Sequence, residues 1–159
     1  MKKLLPLIIV VFTLFAGVRS ADAQIFIGAG GAAATEFEGL GLQFGAGIQL
    51  PVLPLRLSGD YIMFFEKDDI GVTEKWNEFN INLGYQFVNQ FNFSSYIFAG
   101  LNSATEEFGT LKTTEYGVNV GTGAEYSFGL LGWYGELKYT VSELDQFVFT
   151  TGLRLKFGI

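Results

Sequence analysis

The 159-residue sequence has no cysteine, no histidine and only three prolines. Without cysteine there is no disulfide framework, no thiolate metal site and no cysteine to carry a lipoprotein acyl chain. Without histidine the usual general acid/base and the commonest metal ligand are both missing. Positive charge is scarce as well. Ten Lys and Arg stand against sixteen Asp and Glu, a formal net charge of −6, which argues against a nucleic-acid surface. Long apolar runs are confined to residues 4–16, broken only by Pro6 and Thr13. Lys2 and Lys3 precede that run and Ala21-Asp22-Ala23 follows it, so residues 1–23 read as a signal peptide ending at an A-x-A cleavage site. The expected mature chain is residues 24–159, a single exported domain.

What the chain does have is glycine, aromatics and a period of two. In residues 40–50 every even position is apolar (Leu40, Leu42, Phe44, Ala46, Ile48, Leu50) and every odd one is Gly or Gln. That alternation is a β-strand with two chemically different faces. Its length is about what a tilted strand needs to cross a hydrocarbon core. Seven more such segments are expected at 24–34, 55–65, 76–87, 91–102, 114–126, 133–141 and 146–157. The fourth sets Phe79, Ile81, Leu83, Tyr85 and Phe87 against Glu78, Asn80, Asn82, Gly84 and Gln86. Gly28-x-Gly30-x-x-Ala33 matches a dinucleotide-binding fingerprint, but that motif needs a helix after the glycines and another strand follows here. Small residues packed inside a narrow barrel explain it better.

The connections alternate in character. Those at 51–54, 88–90 and 127–132 are short and nearly uncharged, whereas those at 35–39, 66–75, 103–113 and 142–145 carry acids. Short turns on one side and longer loops on the other are the pattern of an outer-membrane barrel with both ends in the periplasm. Aromatics gather near both strand ends. Tyr85, Phe87, Phe91, Phe93, Tyr126, Phe128, Trp133 and Phe157 lie on the short-turn side; Phe64, Phe65, Trp76, Tyr116 and Phe147 lie on the other. They read as two interfacial girdles. The fold class expected is all-β: an eight-stranded antiparallel up-and-down transmembrane β-barrel.

With these features the chain resembles the small eight-stranded outer-membrane barrels, the group that includes outer membrane protein X and the opacity- and adhesin-type proteins. Its local motif is the terminal assembly signal, matched by Thr150-x-Gly152-x-x-Leu155-x-Phe157. Members usually stop at the aromatic, whereas Gly158-Ile159 follow here. The resemblance implies residence in the bacterial cell outer membrane, amid lipid and lipopolysaccharide. It also implies a contact between the C-terminal strand and the barrel-assembly machinery, with a monomer as the expected state. It implies no cofactor and carries over no binding site, because members do not share one. Those that are enzymes use an active-site histidine, so this chain is expected not to be an enzyme.

Nine ionisable residues fall on the inward face: Arg56, Asp60, Glu78, Glu115, Glu125, Glu136, Lys138, Arg154 and Lys156. Charges there must be paired or hydrated. The expectation is a structural plug of salt bridges and polar side chains, with a structural or cell-surface role. The alternative is a narrow passive channel for small solutes or apolar molecules. A soluble lipocalin-like barrel fits less well, since so many polar-face positions are glycine. The acid-rich loops suggest a weak surface site for a divalent cation, densest at Glu66, Asp68 and Asp69.

Overall fold

A computed structural model describes residues 24–50, 53–69, 72–143 and 145–158, with the backbone alone for Asp68, Asp69 and Val72. The signal-peptide segment lies outside the described residues. The strands are β1 (Gln24–Ala34), β2 (Leu40–Gln49), β3 (Leu55–Phe64), β4 (Lys67–Asp69), β5 (Val72–Gln90), β6 (Phe93–Phe108), β7 (Leu111–Phe128), β8 (Leu131–Val141) and β9 (Gln146–Gly158). The sheet order is β3-β2-β1-β9-β8-β7-β6-β5-β4, and pairing of β3 with β5 closes it. β4 is a three-residue hairpin arm on β5, so the barrel has eight staves. The first joins the last, with Ile25 opposite Phe157 and Ala33 opposite Phe149. Closure pairs every one of the eight staves on both sides through the barrel wall, and among the described residues edges remain only on the hairpins beyond it.

The period of two decides what faces where. Leu42, Phe44, Leu57, Phe79, Ile81, Leu83, Ile97, Leu101, Val120, Leu137, Phe149 and Leu153 all point outward and are exposed. Through residues 25–33, 40–48, 55–63, 79–87, 93–101, 116–128, 131–141 and 147–157, no outward position carries a charge. Only a hydrocarbon surround makes that exterior stable, and the polar face is then the lumen. A lipocalin-like barrel would have these faces reversed. The least regular strand obeys the same parity: on β6, Tyr96 and Phe98 point inward and are buried, while Ile97 and Leu101 face out.

Large inward rings are accommodated by glycines directly opposite them on the neighbouring stave, Tyr96 beside Gly123 and Phe98 beside Gly121. A β-carbon on Gly123 would lie 2.6 Å from Tyr96 Cζ, and one on Gly121 would lie 2.4 Å from Phe98 Cζ. The inward glycines of β7 are therefore the space that the rings of β6 occupy.

The structure corrects three expectations. The segments expected as open loops at 66–75 and 103–113 carry strand pairing among the described residues: Lys67–Asp69 pairs with 72–74, Lys67 lying opposite Glu74, and Glu107 lies opposite Lys112. Above the membrane both strand faces are wet, so alternation of apolar and polar residues disappears while the pairing continues. Trp76 and Phe64 are not girdle residues; both are buried inside the barrel. Their parity puts them there, since Phe64 shares a face with Arg56 and Trp76 with Glu78. Finally, two of the short turns tighten to two residues, Phe91-Asn92 and Gly129-Leu130, with positive φ at Phe91 (50°) and Gly129 (70°), and β5 bulges between Gln86 and Val88.

Candidate functional site

The lumen holds four bases and four acids below the rim, in two separate groups. On the side of the acidic loops, Glu78 is fully buried and is the hub. Lys138 Nζ donates to it at 2.5 Å and Asn102 Nδ2 at 3.2 Å. Gln146 Nε2 and the Trp76 indole N–H also donate to it. Beside it Asn80 Oδ1 accepts from Asn102 and Asn119, both at 2.8 Å, and from Lys138 at 3.0 Å. Asn80 and Asn82 in turn donate to Asp60, at 2.9 and 3.3 Å. Thr140 closes the ladder by donating to Asn119 Oδ1. Asparagine suits this task because each side chain both donates and accepts, so a buried charge can be solvated by protein.

An apolar cap lies over this ladder, made of Phe37, Ile62, Phe64, Trp76, Val148 and small alanines. Phe37 comes from the β1–β2 loop, folded inward so that its ring is 5.5 Å from that of Phe64 and 6.0 Å from that of Trp76. Lys67 Nζ fastens it by donating to the Phe37 carbonyl. The expected plug of polar groups is thus only part of the closure. Phe37 had no periodic signal, because it sits in a loop.

The second group lies towards the short turns. Arg154 bridges Glu125 at 3.2 Å and Glu136 at 2.6 Å. Arg56 meets Glu125 at a longer 3.5 Å, and Lys156 also pairs with Glu125. Tyr96 donates its hydroxyl to Glu136 and accepts from Arg154. The guanidinium groups stack on rings: Arg56 on Phe26 and Tyr96 at 4.0 and 4.5 Å, Arg154 on Tyr134 at 3.7 Å. Cation–π contact helps to hold arginine in a place with few acids. Phe26, Tyr96 and Tyr134 carry this arrangement and were not singled out in the sequence, though each has inward parity.

Eight of the nine inward ionisable residues therefore join the two networks. Glu115 does not. It sits half-exposed near the rim and makes no ion pair among the described residues. At the rim, Glu66 pairs with Lys75 at 2.5 Å and Glu107 with Lys112 at 2.6 Å. The side chains of Asp68 and Asp69 lie outside the described residues. No group of three acids that could hold a metal ion occurs among the described residues. Glu36, Glu38 and Glu143 stand exposed, so the rim keeps its acidic surface.

No protein-family model matches the chain, and neither does any curated protein sequence. Solved structures match it in fold. The Neisserial surface protein A (NspA) superposes with a TM-score of 0.68 at 19% identity, over 87% of this chain and 100% of that one. Ail, the attachment invasion locus protein of Yersinia pestis, was solved with the heparin analogue sucrose octasulfate. It gives 0.64 at 12%, over 87% and 100%. The outer membrane protein OprG from Pseudomonas aeruginosa gives 0.64 at 11%, over 89% and 98%. The fold is that of the small eight-stranded outer-membrane β-barrels, and at these identities the likeness extends to fold alone.

Proposed function

We propose that this chain is a small barrel of the bacterial outer membrane, exported by its N-terminal signal, whose role is structural or lies in surface contact rather than in transport or catalysis. The observation that carries this is the double closure of the lumen, by the hydrogen-bonded Glu78–Lys138–asparagine ladder and by the Phe37–Phe64–Trp76 cap above it. Function is then left to the rim. With Lys75 and Lys112 engaged and Lys67 turned inward onto a carbonyl, its free charge is negative. A sulfated polyanion of the kind bound by Ail would be repelled by this rim. It suits a basic partner, or an anionic lipopolysaccharide surface bridged by divalent cations. The C-terminal strand would serve the assembly machinery.

The passive-channel alternative draws support only from an open chamber on the short-turn side, which stops at the arginine cluster. Planar-bilayer recording decides between the two. The unmodified protein should give no steady conductance, and Phe37→Ala should add at most brief openings. A well-defined open state in unmodified protein would replace this reading with the channel.

A further inference from the structure

The end of the lumen nearest the short turns is not filled. A chamber of about 600 Å³ opens there, walled by uncharged side chains such as Gln49, Gln86 and Asn89, with Arg56, Glu125 and Lys156 also on its lining. Its charge is one-sided. Glu125 is the single acid among the lining residues, and it is already shared by Arg154, Arg56 and Lys156. Arg154 has a second acid in Glu136, but Arg56 has none. Its one ion pair is the long one, 3.5 Å, and its Nε and Nη2 meet no acceptor among the described residues. Phe26 and Tyr96 hold the guanidinium in place from its faces. A buried, immobilised guanidinium short of acceptors beside a polar chamber lacks one thing, a further negative charge.

We propose that this chamber binds a small oxyanion, a carboxylate or phosphate group, held by Arg56 and Lys156 and entering from the short-turn side. The amide part of the wall, Gln49, Gln86, Asn89 and Asn92, suits a hydrophilic carrier of that group. In the outer-membrane orientation the mouth faces the periplasm, where phosphate is offered both by solutes and by lipid headgroups.

The test uses the folded barrel in zwitterionic detergent, titrated with inorganic phosphate or acetate at constant ionic strength set by sodium chloride. The buried Arg56 Nε–H is followed by NMR. Its resonance should shift saturably with phosphate and not with chloride, and Lys156→Gln should weaken the half-point about ten-fold, the scale of one charge-assisted hydrogen bond. A second arm compares nanodiscs of phosphatidylcholine with and without phosphatidylglycerol. A shift produced by the anionic lipid alone assigns the site to a headgroup, and a shift that needs free phosphate assigns it to a solute. Either outcome supports the proposal. No saturable shift at Arg56 in either arm, or a shift that Lys156→Gln leaves unchanged, overturns it. The readout is on the unmodified arginine, so the result does not depend on whether an Arg56 variant folds.

Discussion

The two halves of the lumen face the same difficulty, charge enclosed by a barrel, and meet it differently. Towards the rim, Glu78 has four side-chain donors, and an apolar cap separates it from water. Towards the short turns, three bases share two acids beside an open chamber, and Arg56 keeps nitrogens without acceptors. Enclosed charge must be satisfied donor by acceptor within the protein, because nothing else can reach it. Charge that is itself buried but borders an open chamber tolerates more imbalance, since water or a solute ion close by supplies part of what is missing.

The sharpest way to break that comparison is Glu78→Gln. It strands the Lys138 ammonium, which sits only 2.5 Å from the carboxylate and almost fully buried. Removing one partner of such a pair costs about 3–5 kcal/mol, read as a lowered urea midpoint for the barrel unfolding from lipid vesicles. Adding Lys138→Met should recover much of the loss. A cost below about 1 kcal/mol would show that the ladder is hydrated after all.

Glu125→Gln is the matching change in the other half. It leaves more bases unpaired than Glu78→Gln does, yet water in the adjoining chamber should limit the cost to about 1–3 kcal/mol. If it equals or exceeds the cost of Glu78→Gln in the same assay, proximity to the chamber is not what makes the difference.

Which residues line each half was legible in the sequence; which of them meet was not. Parity along each strand places Glu78 inside, Leu83 outside and Arg154 inside, because the lipid face tolerates no charge and the signal renews every two residues. Parity also places Phe64 and Trp76 inside, where reading them by their nearness to strand ends misassigned them to a girdle. The partnership of Glu78 with Lys138, sixty residues away, depends on the stagger of the staves around the barrel, and no local pattern encodes that. The hairpins above the membrane were missed for a related reason. Thr105 and Thr114 hydrogen-bond across a strand pair at 3.1 Å, but with water on both faces they leave no alternation to read. Phe37 illustrates the remaining blind spot, a loop residue whose burial is decided wholly by what lies beneath it.

Asn82→Ala makes a smaller change within the rim half. Its two bonds, to Asp60 at 3.3 Å and from Asn119 at 3.2 Å, are both long. The expected cost is about 1 kcal/mol or less. Measuring it together with Asn80→Ala sharpens the picture of the ladder, since Asn80 makes shorter bonds and should cost more. Equal costs would mean that the ladder acts as a unit rather than bond by bond.

The smallest effect belongs to the hairpins beyond the membrane, where charge pairs stand in water rather than in the lumen. The hydrogen bond from Lys112, and then its charge, hold the Glu107 carboxyl below the usual carboxylate range. A carboxyl depressed by folding contributes stability at pH above the ordinary glutamate value, and that contribution is lost as pH falls through the depressed one. The mirror case is Lys75, raised by its hydrogen bond to Glu66 and then by that charge. Its contribution is complete below the ordinary lysine value and is lost as pH rises through the raised one. Both pairs are open to solvent and screened by salt, so neither should move the global unfolding midpoint. The effect should be visible locally. In a ¹³C titration of the Glu107 carboxyl, Lys112→Gln should bring the midpoint up to the ordinary range, and added sodium chloride should do part of the same. If Lys112→Gln instead lowers barrel stability as much as Asn82→Ala does, the hairpin is continuous with the barrel in energy as well as in pairing. The contrast between enclosed and solvated charge would then have to be drawn higher up the strands.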